Sequence, residues 1–454
     1  MNQFTETQQM LCLAALTYRD FADVGPASAH AQRLHDDIAL KLRQLEPVKG
    51  QWALVWGPAS YRSPVSLFDD AAMFVVQNTV RPDQYVVAVR GTNPISAFDW
   101  VFGDLWVSGQ VPWPFDDSKA ARISFSTALG LDILLQLRAG SQPAGAAATA
   151  WTHLVEHLSD FAGGLKKILL RPVQSDAVRP IREKLGQRLA DLMSRRTGLP
   201  AQDREAQVKS FQADWLPEVR KGLIDDVAAS LSFLGGQPSL HVLALLEKDA
   251  WVSARLEHGN DLLSFLKAAV ASASGRVDLV VTGHSKGGAL APTLALWLAE
   301  TQGSAAEAYR WDPDQRATVG CYAFAGPTAG NAAFAQRSNE RIGARCHRIF
   351  NPLDVVPRAW VPQDMRGIGR LYDAAVVRPI AGLGSLANDI ADVVETEKLG
   401  YTHIGNDVQE LPGALNNDKR DFAAQLVHQH LQAYLDKMGI GAFVSVDTFF
   451  NPLR

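Results

Sequence analysis

Cysteine is scarce in this chain. Three among 454 residues, Cys12, Cys321 and Cys346, are too few and too scattered for a disulfide framework or a zinc site. Cys321 and Cys346 fall in apolar runs and are expected in the core. No apolar stretch approaches the roughly 18 residues of a membrane span. The first residues, MNQFTETQQMLCLAALTYRDF, hold an apolar patch with no Lys or Arg before it and with Glu6 in front, which is not the charge pattern of a signal peptide. These absences describe a soluble protein made in the cytoplasm, either resident there or exported without a recognisable signal peptide. Charge of one sign is lacking too. The formal net charge is -4, which argues neither for nor against nucleic acid, and no nucleic-acid partner is expected. No internal repeat appears. What is present is ordinary for a globular chain, 47% hydrophobic and 20% charged, at a length sufficient for one large core or two domains.

The strand candidates form two groups. Trp52–Trp56, Met73–Gln77 and Tyr85–Val89 precede residue 130. Val277–Thr282, Cys321–Ala325 and Cys346–Phe350 follow residue 275, with helical patterns between them. Strands alternating with helices imply a mostly parallel sheet covered on both faces. The chain between the groups has another texture, rich in Ala, Leu and Arg. SQPAGAAATA at 141–150 looks like a linker, and Ile181, Leu185, Leu189 and Leu192 then share one helical face. The expected organisation is a main domain at 1–130 and 251–454, interrupted by a large helical insertion at 131–250 that serves as a cap or lid. Within it, residues 161–200 carry nine Lys and Arg against three acids.

One stretch carries chemistry. In VDLVVTGHSKGGALAP (277–292) a short apolar strand meets a helical pattern at Ser285, with Gly283, Gly287 and Gly288 around it. Gly-x-Ser-x-Gly at a strand-to-helix turn is the arrangement that exposes a serine hydroxyl at the carboxyl end of a sheet. The pattern alone recurs by chance, and the strand before and helix after give it weight. Pro292 lies beyond the first helical turn, where a kink is expected.

A serine hydroxyl is a weak nucleophile. It needs a base, and the base needs a carboxylate to set its tautomer and stabilise its positive charge. In such folds the order along the chain is Ser, then acid, then His. Asp354 follows the strand Cys346–Phe350 and the Asn351-Pro352 turn. Asp364, Asp373 and Asp389 have no clear strand just before them. For the base, His403, His428 and His430 all come later, and spacing alone does not choose among them. The amide of Lys286 and the Thr92 of YVVAVRGTN, at the end of a strand, are candidate donors to an oxyanion.

Four motifs in this order, RGTNPISAFDWVFGD, GHSKGGALA, AFAGPTAGN and RIFNPLDVVPR, resemble the class 3, or fungal-type, lipases of the α/β-hydrolase superfamily. The resemblance covers about the first 130 residues and the chain from 255 onward. It implies an α/β-hydrolase fold with Ser285 as nucleophile, Asp354 as triad acid and Thr92 as oxyanion residue. His403 matches a histidine that in the family is usually not catalytic. His430, in HQHLQAYL, fits the family's catalytic histidine best, with His428 next. Two features depart from the family. Lys286 stands where Leu or Gln is common after the nucleophile, and the 131–250 insertion is not part of the family's minimal domain.

The implied activity is carboxylic ester hydrolysis, of a lipase or esterase kind, on acyl esters of lipids. No cofactor or metal is expected. The partners expected are the lipid or acyl-ester substrate and peripheral contact with a membrane or lipid interface. The alternatives are a phospholipase A acting on membranes, as a secreted effector, and a non-catalytic binding module on a hydrolase scaffold. Phe98, Trp100, Phe102, Trp106, Trp113 and Phe115 crowd one short segment and suit a lid or a core equally well.

Overall fold

In a computed structural model of the protein, the structure describes residues 4–19, 27–62, 71–90, 110–139, 251–254, 260–305, 307, 309–380 and 383–445. The insertion from 140 to 250, the loop holding Thr92, and Phe98, Trp100, Phe102 and Trp106 lie outside the described residues.

Among the described residues eight strands form the main sheet. In chain order they are β1 (Trp52–Arg62), β2 (Ala71–Asn78), β3 (Gln84–Val89), β4 (Trp251–Ala254), β5 (Val277–His284), β6 (Ala317–Phe324), β7 (Cys346–Phe350) and β8 (Asp407–Glu410). Across the sheet the order is β8-β7-β6-β5-β3-β2-β1-β4. The pairs from β8 to β3 are parallel, and those from β3 to β4 are antiparallel. The expected mostly parallel sheet is present. All six expected strand segments are found in it, with only Ala325 of Cys321–Ala325 falling past the end of its strand.

The helices are α1 (Glu6–Leu16), α2 (Ala27–Gln44), α3 (Phe125–Gln136), α4 (Leu262–Ser272), α5 (Lys286–Thr301), α6 (Ala332–Ile342), α7 (Pro362–Arg366), α8 (Leu383–Thr396), α9 (Phe422–His430) and α10 (Gln432–Lys437). Side chains alternate across a strand, so each central strand feeds two cores. Val75, Val87, Leu279 and Val281 pack with α3, α4, α5 and α6 on one face. Val76, Val86, Ala88 and Val280 pack with α1, α2 and Tyr434 and Leu435 of α10 on the other. Burial on both faces explains why these strands read as continuous apolar runs. A third cluster, around Trp360, Met365, Phe422 and Leu426, lies beneath the segment that follows Asp354. Cys321 and Cys346 are buried as register partners on β6 and β7.

Two features refine the expected organisation. Helix α3 runs past residue 130, and Leu131, Leu134 and Leu137 are buried in the main core, so the first residues assigned to the insertion belong with the sheet. The short strands Arg138–Ala139 and Asn260–Asp261 then pair with each other. Residues 138–139 thus lie beside residues 260–261, while Trp251–Ala254 is already paired with β1 in the main sheet. Trp113 is buried and Phe115 packs against the core, so these two members of the aromatic run serve packing. Helix α5 continues through Pro292 to Thr301. Among the described residues no helix is long and apolar enough to cross a membrane.

The glycines at the β5–α5 turn are required by close approach. A Cβ at Gly283 would collide with the carbonyl of Gly287, and one at Gly288 would collide with the Phe324 carbonyl and Gly326. These contacts let α5 press on the end of β6. Gly288→Ala is expected to lower stability by about 1–3 kcal/mol through forced displacement of backbone. Gly275→Ala, at a site with open space, is expected to stay within about 0.5 kcal/mol of wild type. Urea unfolding of the two variants checks the contrast.

Candidate active site

Ser285 sits between β5 and α5 with φ 62° and ψ -128°, a region that non-glycine residues avoid. The turn is held from outside, because the Ser285 amide donates to the Phe324 carbonyl at 3.0 Å. This bond depends on the register in which β6 runs beside β5, Phe324 opposite His284. The hydroxyl therefore stands at the carboxyl end of the parallel strands. The N-terminus of the 16-residue helix α5 begins at the next residue, with its partial positive charge directed at the same place.

Asp354 lies just beyond β7, after a turn built by Asn351. The Asn351 side-chain oxygen accepts the Leu353 amide at 3.0 Å, and the Asp354 amide donates to the Asn351 carbonyl at 2.9 Å. The Asn351 side-chain amide donates to the carbonyl and side-chain oxygens of Gln429, at 3.0 and 2.7 Å, so the acid's turn is tied directly to α9. Helix α9 ends at His430, where Leu431 leaves helical geometry at φ -122° and ψ -77°.

These three segments converge. His430 Nδ1 lies 2.8 Å from Asp354 Oδ2, and His430 Nε2 lies 2.9 Å from Ser285 Oγ. A carboxylate only accepts, so Nδ1 carries the proton and Nε2 is left to accept from the serine hydroxyl. Exposure is 2% at Ser285, 1% at His430 and 0% at Asp354, so the chain of bonds is screened from water.

The carboxylate has two further donors. Its Oδ1 accepts the Val356 amide at 3.0 Å, and its Oδ2 accepts the Tyr434 hydroxyl at 2.9 Å. Burial, and then the nearby Asp354 charge, push the Tyr434 hydroxyl well above the ordinary tyrosine range, so it stays a donor. Sequence reasoning missed Tyr434 as a site residue, although it follows His430 closely in the chain, on α10. It also missed His284, the residue before the nucleophile. His284 Nε2 is 2.8 Å from the His430 carbonyl, and the two rings lie 4.7 Å apart. A carbonyl also only accepts, so His284 donates and fixes the backbone of the base. Tyr18 at the end of α1 donates to the His284 carbonyl at 3.0 Å.

The other candidates are elsewhere. His428 is two residues before His430, a separation that places it on the opposite side of the helix, and it is half-buried. His403 bonds Asp364 and Thr328 instead. Asp373 accepts an amide of its own turn, from Ala375, and Asp389 lies on α8. Lys286 opens α5, with its amide adjacent to the nucleophile. Thr92 lies outside the described residues. Upstream of it in the chain, Val89 at the end of β3 pairs with Gly283, just before the nucleophile turn. Among the described residues no three of His, Cys, Asp and Glu are grouped so as to hold a metal ion.

Three of the four motifs, GHSKGGALA, AFAGPTAGN and RIFNPLDVVPR, lie in a span similar to a known family. Residues 236–363 match the class 3 lipase family, a span that holds Ser285 and Asp354 but neither Thr92 nor His430. The crystal structure of M37 lipase matches at 25% identity, covering 98% of this chain and 96% of that one, with a TM-score of 0.66. A lipase from Rhizopus microsporus var. chinensis is 13% identical over 78% of this chain and 68% of its own, with a TM-score of 0.33. Lipase II from Rhizopus niveus is 13% identical over 79% and 75%, with a TM-score of 0.32. These two likenesses are too slight to inform the fold. No curated protein matches. The fold is that of an α/β hydrolase, and the segment carrying the nucleophile turn matches the class 3 lipase family.

Burial, and then the neighbouring His430, hold His284 well below the ordinary imidazole range. The unfolded chain binds this proton near pH 6.5 and the folded one resists it. The resulting stability is complete above about pH 6.5 and declines as pH falls. Wild type is therefore expected to lose melting temperature between pH 7 and pH 5. His284→Gln, which keeps a donor for the His430 carbonyl, should lose less. His403 and His428 are shifted in the same direction and supply the slope that remains. Calorimetric melting at the two pH values checks the difference.

Proposed function

We propose that the protein is a lipase-type carboxylic ester hydrolase working through Ser285, His430 and Asp354. The observation that carries this is the unbroken hydrogen-bond chain from Ser285 Oγ through His430 to Asp354. Ser285 Oγ attacks the acyl carbonyl of the ester as His430 Nε2 takes its proton. The C–O bond to the alcohol breaks while His430 returns that proton to the leaving oxygen, and the acyl group stays on Ser285. Water, deprotonated by His430, then attacks the acyl-enzyme, and the acid leaves as Ser285 recovers its proton. Asp354 holds the ring and balances its transient charge. The Lys286 amide at the start of α5 and Thr92 after β3 stabilise the tetrahedral oxyanion.

The phospholipase A alternative draws on the basic stretch at 161–200, outside the described residues. A panel of triacylglycerols, phospholipid vesicles and p-nitrophenyl esters separates it from the lipase and esterase readings. A binding module on the same scaffold has no evident use for a screened, fully directed Ser-His-Asp chain.

In p-nitrophenyl ester assays, Ser285→Ala and His430→Ala are each expected to lower kcat by about 10⁴–10⁶-fold, since nucleophile and base act as a unit. Asp354→Ala should lower it somewhat less, and His403→Ala by no more than about 10²-fold. Activity abolished in folded His403→Ala but kept in His430→Ala would reverse the assignment of the base.

Thr92→Val retains the shape and deletes the hydroxyl. If that hydroxyl meets the oxyanion, kcat should fall by about 10²–10³-fold with KM little changed. Unchanged kcat would leave backbone amides as the donors.

A further inference from the structure

Three polar residues that hydrogen-bond neither Ser285 nor His430 form a second directed chain. Thr328, buried in the loop after β6, donates its amide to the Ala359 carbonyl at 2.6 Å and accepts the Trp360 amide on its hydroxyl at 3.3 Å. His403 Nδ1 lies 3.1 Å from that same hydroxyl, and His403 Nε2 lies 3.0 Å from Asp364 Oδ2. The carboxylate requires a donor, so Nε2 carries the ring proton. Nδ1 is then a lone pair, and the Thr328 hydroxyl has to donate to it. Every bond now has one direction: Trp360 N–H to Thr328, Thr328 O–H to His403, His403 N–H to Asp364. The His403 bond is also the main reason the Asp364 carboxyl is held below the ordinary range, as a charged acceptor should be.

This chain closes on the segment that carries the triad acid. Asp354 caps the Val356 amide, Val356–Arg358 form one 3₁₀ turn, and Ala359 and Trp360 are the residues Thr328 grips. Asp364 follows on α7. The segment is therefore held at its start by Asp354 itself and at its far end by Thr328 and His403. Its apolar side packs in the cluster that includes Val355, Trp360 and, from α9, Phe422 and Leu426. Helix α9 ends in His430. A slack Trp360 would be felt at both ends of the Asp354–His430 bond, where sub-ångström placement governs rate.

We propose that Thr328, His403 and Asp364 are positioning residues that set the geometry of the Asp354–His430 pair through the 354–364 segment. This rests on the catalytic assignment of that pair made above.

The test uses the full chain and two readouts. The first is the downfield proton resonance of His430 Nδ1–H, identified by its absence in His430→Ala. The second is ester hydrolysis. In Thr328→Val the resonance should shift or broaden, and kcat should fall by about 10–100-fold with KM within about threefold. Thr328→Ser, which restores the hydroxyl, should recover both. Because the residues act as one chain, adding His403→Ala to Thr328→Val should cost far less than the product of the two single losses. Should Thr328→Val not fold, His403→Ala at its part-exposed ring carries the same expectation for both readouts. The proposal is overturned by a folded variant with wild-type resonance and kcat, by equal impairment of the Ser and Val variants, or by fully multiplicative losses. The resonance is read without substrate. A wild type inactive on esters would therefore sink the hydrolase assignment while this readout still decides the clamp.

Discussion

The carboxylate of Asp354 is fully buried, and a buried charge left without partners is among the most unfavourable arrangements a fold can contain. Removing one partner from such a group typically costs about 3–5 kcal/mol. The surrounding structure can be understood as the set of donors this charge demands. Val356 supplies an amide, Tyr434 a hydroxyl and His430 its Nδ1–H. Those donors come from the acid's own turn, from α10 and from the end of α9. To meet the carboxylate, α9 has to break at Leu431 and turn into α10, and Asn351 has to tie the turn back to Gln429. Satisfying the charge thus also orients the imidazole, and Nε2 of that imidazole is what remains for Ser285.

The nucleophile end is governed by backbone strain instead of charge. Ser285 occupies a sparsely allowed conformation, and such strain persists only where neighbours over-determine it. Here the neighbours are the Phe324 carbonyl on β6 and the close approach of Gly288 to Gly326. Both follow from parallel pairing of β5 with β6, which in turn follows from apolar strands that need cover on two faces. One line of cause therefore runs from the Val-rich run at 277–281 to the direction of a single hydroxyl.

Much of this was legible along the chain, and the illegible parts share a cause. The apolar runs in β2, β3, β5 and β6 are visible because those strands are buried on both faces. β8 was not, because Asp407, Val408, Gln409 and Glu410 are all exposed at the sheet edge and show neither an apolar run nor alternation. Ser285 and Asp354 came forward from motif order, while His430 stood apart from His428 and His403 only through family resemblance. Spacing could not decide, since the choice depends on which helix face meets Asp354. That face is set by contacts 76 and 145 residues apart in sequence. His284, Thr328 and Tyr434 lie within GHSKGGALA, AFAGPTAGN and HQHLQAYL, but nothing in those stretches marks the residues they bond. Their roles exist only once distant segments meet.

The central claim is that Ser285 is a hydroxyl made nucleophilic by His430. An alkyl fluorophosphonate reports this without any assumption about the natural ester, because it forms a stable bond only to an activated serine. Wild type is expected to take up one label per chain, mapped by peptide mass spectrometry to Ser285, and His430→Ala is expected to take up essentially none over the same period. Labelling at another residue, or labelling of Ser285 that proceeds undiminished without His430, would contradict the account.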